Sequence, residues 1–156
     1  MRGGRQQLNL QPNTIEVGCF RIGTVIHEYL HAVGFFHMQS ATERDDYVRI
    51  VWENIRSGTE GNFAIYNSSV ISNFDVGEFF SWRHWKESPY LFPSSVEYDY
   101  GSVMHYSRTA FSINGSDTIV ATRDLGDNFM GQRVRISDKD TLRLNRMYCP
   151  QPIRPP

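Results

Sequence analysis

The chain is 156 residues long, enough for one moderate hydrophobic core and therefore for one domain. Its 16 Lys and Arg against 17 Asp and Glu give a net charge of −1, leaving no basic surface for nucleic acid and no acidic block for storing cations. No apolar run is long enough to cross a membrane, no hydrophobic leader follows Met1, and Cys19 and Cys149 alone do not fix a redox compartment.

Taken in chain order, residues 5–10 alternate enough to predict a short strand. Pro12 breaks it, and a helix is predicted over 20–33 with Val25, Ile26, Leu30 and Val33 on its core face. Shorter helices are expected near 51–55 and 62–66, interrupted by Gly58 and Gly61. Residues 74–118 mix aromatics, Gly, Ser and Asn with little periodicity and read as loops, an unusual length unless function demands it. Ser137, followed at the third position by Asp140, resembles a helix N-terminal cap, and Leu142, Leu144 and Met147 carry that helix to about residue 148. The domain is assigned to residues 1–150 and a tail to 151–156. Asn67 and Asn114 head glycosylation acceptor patterns, which lean towards the secretory route.

The chemistry concentrates in residues 27–37, His-Glu-Tyr-Leu-His-Ala-Val-Gly-Phe-Phe-His. His27 and His31 stand four apart, so a helix places both imidazoles on one face. Glu28 projects beside the same site, where a carboxylate can act as base towards water activated by a metal. Gly34 can adopt the left-handed conformation that ends a helix and turns His37 back as a third ligand. Three neutral imidazoles and one open position are what catalytic zinc requires. The bland alternative is an amphipathic helix with histidines on its polar face. Against it, three of the five histidines fall in this segment at ligand spacing. The other two, His84 between Trp82 and Trp85 and His105 after Met104, read as packing or hydrogen-bonded structural residues.

Further segments resemble one family. Residues 102–106, Ser-Val-Met-His-Tyr, follow the histidine helix by about seventy residues and are similar to the Met-turn of metzincin peptidases. Arg-Gly-Gly-Arg-Gln (2–6), Arg-Asp-Asp-Tyr-Val (44–48), Trp-Glu-Asn-Ile (52–55), Tyr-Asp-Tyr-Gly (98–101) and Gly-Gln-Arg (131–133) resemble astacins in particular. The resemblance implies a secreted, extracellular zinc endopeptidase acting on proteins or peptides as a monomer, made with a signal peptide and an inhibitory propeptide. It implies an α+β zincin fold: residues 1–34 as the remnant of an upper subdomain with the active-site helix, and 35–150 as a largely irregular lower subdomain with a C-terminal helix. One Zn2+ per chain would be held by His27, His31 and His37, with Tyr106 as a further, movable ligand and oxyanion donor. Glu28 would serve as general base and then acid, Met104 as an apolar floor, and Arg133 as a basic residue of a substrate pocket or else a solvated surface arginine.

The sequence departs from that family in three places. Astacin catalytic domains run to roughly two hundred residues, and here the likeness begins partway through. The upstream strands, the substrate-binding edge strand and the cysteine partners of Cys19 and Cys149 are then missing, which predicts two free thiols. Met38 stands where astacins often carry a glutamate linked to the matured N-terminus, so any activation link must differ. Between residues 76 and 98 roughly twenty extra residues intervene, read either as a genuine loop or, over 77–94, as a translated short intron. The competing functional expectation is a catalytically impaired fragment or zinc-binding interaction module that lacks the edge strand.

Overall fold

A computed structural model describes residues 5–66 and 96–149. Asn67, His84, the 77–94 segment and the 151–156 tail lie outside the described residues.

Helix α1 runs Ile22–Ala32. Gly23, His27 and Leu30 are its buried residues, spaced at four and three, so one stripe faces inward. Gly23 lets the first turn pack on backbone, because a Cβ there would lie 2.1 Å from the carbonyl of Arg133. The helix ends in a Schellman motif around Gly34, whose φ is +100°. Phe35 N–H donates to Leu30 O at 2.9 Å and Gly34 N–H to His31 O at 3.0 Å. Leu30 and Phe35 meet in the core, the apolar contact that commonly accompanies this cap.

Strands β1 (Val48–Ile50) and β2 (Ile119–Ala121) pair antiparallel, with Val48 opposite Ala121 and Ile50 opposite Ile119. Val48 and Ile50 are buried while Arg49 is exposed, the period-two pattern of a half-buried strand. Behind the sheet, Phe63, Val103, Met104, Met130 and Met38 complete the core.

Helix α2 spans Asp138–Tyr148 and begins with a full capping box. Ser137 Oγ accepts from Asp140 N–H at 2.9 Å and donates to Asp99 Oδ2 at 2.6 Å. Arg143, 1% exposed, donates to Glu97 O at 2.8 Å and lies 3.6 Å from Asp140 and 3.9 Å from Asp99. A guanidinium this deeply buried needs such carboxylate neighbours to offset its desolvation. Residues 97–103 are thereby tied to the start of α2.

This is the expected α+β class, with the predicted histidine-bearing helix, a short antiparallel sheet, much irregular chain and a terminal helix. Two expectations are corrected. Residues 5–10 are not a strand: they have no ladder partner among the described residues and are largely exposed. The helices expected near 51–55 and 62–66 are single 3-10 turns, Trp52–Asn54 and Glu60–Phe63, separated by Gly58 at φ +84°. Strands β1 and β2 were not expected, although Val48-Arg49-Ile50 and Ile119-Val120-Ala121 carry the β-branched signal.

Candidate metal centre

Helix α1 places His27 and His31 one turn apart, and the Gly34 turn brings His37 across to them. The Nε2 atom of His37 lies 3.1 Å from that of His31 and 3.3 Å from that of His27. Tetrahedral coordination at about 2.0–2.1 Å sets ligand atoms about 3.3–3.4 Å apart, so this spacing fits a single zinc ion.

Hydrogen bonding to the outer nitrogens supports the same reading. His27 Nδ1–H donates to Val103 O at 2.8 Å and His31 Nδ1–H donates to Phe35 O at 2.9 Å. Both rings are thus held in the tautomer that turns an Nε2 lone pair to the centre. Lone pairs facing at such distances repel unless a cation lies between them. Burial lowers the pKa of His27 to about 4. For His37 burial again comes first, the neighbouring imidazoles and Arg133 adding to it, and its pKa falls to about 3. Both are neutral at pH 7, the state that binds metal.

Around the histidines stand the other expected residues. The Tyr106 ring is 4.5 Å from that of His37, and burial raises its pKa, so the hydroxyl keeps its proton at neutral pH. Glu28 follows His27 on α1 and is half-buried. Arg133 is half-buried as well, donating to His105 O at 3.2 Å and Gln132 O at 2.8 Å. Burial lowers its pKa, opposed first by the Glu28 carboxylate. Met104 is buried, and its carbonyl accepts Met38 N–H at 3.1 Å, joining the turn to the residue after His37. His105 is structural: fully buried, it contacts the Tyr98 hydroxyl through Nε2 at 2.8 Å and donates from Nδ1 to Tyr106 O at 2.7 Å. Cys19 and Cys149 are free thiols. Asn114 is exposed, with Oδ1 accepting Ser116 N–H at 2.9 Å.

Sequence reasoning did not find the groups behind the ligands. The carbonyls of Val103 and Phe35 carry no side-chain signature. Asp140 was read only as a cap, yet its Oδ1 accepts from Ser102 Oγ at 2.7 Å and its Oδ2 from Val103 N–H at 2.9 Å.

Three converging imidazoles on one helix and its glycine turn, set in an α+β frame, form a site able to hold one metal ion. The family model of the astacin peptidases matches residues 2–87 and 84–149. The chain belongs to the astacin family. It is 42% identical over 154 residues to seminal metalloprotease 1 of Drosophila melanogaster, covering 97% of this chain and 53% of that protein. Against the zinc metalloproteinase nas-4 of Caenorhabditis elegans it is 40% identical over 141 residues, 90% of this chain and 38% of that one. Human meprin A subunit beta is 43% identical over 149 residues, 94% of this chain and 17% of that protein. In structure it resembles high choriolytic enzyme 1, a hatching enzyme zinc-protease from the medaka Oryzias latipes, with TM-score 0.63 and 36% identity over 84% of this chain and 54% of that one. The chain spans between about a sixth and about half the length of these relatives.

Proposed function

We propose that this chain is the metal-binding part of an astacin endopeptidase that hydrolyses peptide bonds in extracellular proteins, acting as a monomer. The observation that carries the reading is the convergence of three Nε2 atoms with spacings of 3.1 and 3.3 Å at a site bordered by Glu28 and Tyr106. The extracellular setting is taken from relatives named as a hatching enzyme and a seminal metalloprotease. On this reading residues 1–150 are one peptidase domain, divided near Gly34 and followed by a tail.

A zinc ion held in the site would supply Lewis acidity for the scissile carbonyl and for the attacking water. His27, His31 and His37 would hold the ion as neutral ligands. Glu28 accepts the proton of the attacking water and returns it to the leaving amine. Tyr106 would be a further, displaceable ligand, and its protonated hydroxyl would donate to the developing oxyanion, a contribution of ~3 kcal/mol to the barrier. Arg133 draws acidic side chains on the leaving-group side. Met104 packs beneath the ligands.

A second reading, a zinc-binding module without turnover, is favoured by one observation. Among the described residues no strand flanks α1, and residues 5–10, which could have bordered a substrate-binding edge, are unpaired. Measuring zinc content and cleavage of a mixed peptide panel separately decides between them. Stoichiometric zinc with cleavage that Glu28→Ala abolishes supports the peptidase. Zinc with no cleavage supports the module.

A further inference from the structure

The turn at residues 102–104 connects a buried carboxylate to one of the metal-binding imidazoles. Asp140, 1% exposed, accepts from Ser102 Oγ at 2.7 Å. Ser102 Oγ in turn accepts Met104 N–H at 3.0 Å. That N–H belongs to the same peptide group as the carbonyl of Val103, which accepts His27 Nδ1–H at 2.8 Å. Each donor points the same way along the chain of bonds, from His27 towards Asp140. Ser102, Val103 and Met104 are at most 1% exposed, so water does not compete for any link.

We propose that Asp140 is a positioning residue of the metal centre, acting on His27 through the Ser102 hydroxyl and the Val103–Met104 peptide. Imidazole ligands commonly donate to a carboxylate, carbonyl or water, which orients the ring and raises its basicity. Here the immediate acceptor is a neutral carbonyl. A negative charge two hydrogen bonds further on polarises that carbonyl through the hydroxyl and the peptide dipole, because aligned bonds in a low-dielectric interior strengthen one another. Val103 N–H, donating to the other oxygen of Asp140 at 2.9 Å, fixes the turn so that the relay cannot slide. Asp140 thus acts as the distant carboxylate of a carboxylate–histidine–metal arrangement, while also belonging to the α2 capping box.

This inference rests on the three-histidine zinc reading and is tested with zinc alone. Zinc affinity is measured by competition with a chromophoric chelator at constant pH for the full chain and for Ser102→Ala, Asp140→Asn and Ser137→Ala. The His27 Nδ1 nitrogen resonance is recorded in parallel. Ser102→Ala cuts the relay while leaving the Asp140–Val103 bond, and should weaken zinc binding about 10-fold and shift the His27 resonance. Asp140→Asn should do so at least as strongly. Ser137→Ala removes the α2 cap hydroxyl, which meets Asp140 at its backbone N–H and not at the carboxylate that accepts from Ser102, so it should lower the melting temperature but leave zinc affinity unchanged. Should Asp140→Asn fail to fold, Ser102→Ala against Ser137→Ala decides. Parent-like zinc affinity in folded Ser102→Ala, or an equal loss in Ser137→Ala, overturns the relay. A parent chain that takes up no zinc overturns the relay and the metal centre together.

Discussion

His27 Nδ1 donates to the carbonyl of Val103 at 2.8 Å across a sequence separation of 76 residues. That bond joins the helix carrying His27 and His31 to the turn carrying Met104, and it orients the ring whose other nitrogen faces the His37 imidazole. Affinity for the ion therefore depends on the packing of the two segments as well as on the ligands.

Loss of a ligand should be more severe than loss of an outer partner. His31→Ala leaves two imidazoles and is expected to weaken zinc binding by at least about 100-fold, beyond the range seen for outer hydrogen-bond partners. Chelator competition measures it. Stoichiometric zinc in the variant at micromolar concentration would mean that His31 is no ligand.

Glu28→Ala should separate binding from turnover. The zinc content stays at one per chain, and peptide cleavage falls by about 10²–10⁴-fold, the usual contribution of a positioned proton acceptor. Unchanged kcat with a folded variant would remove Glu28 from the mechanism.

For Tyr106→Phe the expected loss is about 10²–10³-fold in kcat, as for other oxyanion donors, with KM little altered. The ring is kept, so packing on His37 at 4.5 Å survives and the hydroxyl alone is tested. A rise in KM at constant kcat would make Tyr106 a binding residue instead.

Gly34→Ala introduces a Cβ that meets nothing within 4 Å, yet φ there is +100°. The cost is thus conformational, about 1–3 kcal/mol. If the chain relaxes that strain, the His37 ring moves, so weaker zinc binding should accompany the lower melting temperature. A variant as stable as the parent would mean that the turn tolerates other backbone angles.

Ser137→Ala should cost about 1 kcal/mol through loss of the α2 cap, lowering Tm by roughly 2–4 °C for a chain of this size. Thermal unfolding followed by circular dichroism reads it directly, and no shift would mean that Asp140 caps the helix unaided.

The parts legible in the sequence were those with a short period. Helix α1, its glycine stop and the three ligands occupy residues 22–37, where 3.6-residue periodicity and one left-handed position determine which side chains meet. The α2 cap was equally local, since Ser137 and Asp140 satisfy each other's backbone within one turn. Strands β1 and β2 were missed because each is three residues long, and their pairing joins segments about seventy residues apart. The strand expected at 5–10 did not form for the converse reason, that alternation without a ladder partner leaves its backbone groups to water.

The sequence by itself determined which three histidines converge, because residue identity and helical spacing are local properties of the chain. Tertiary structure alone decided what holds those ligands: the Val103 carbonyl on His27 and the buried Asp140 behind Ser102. These partners are matched by shape and desolvation across long separations, so no repeat or spacing announces them.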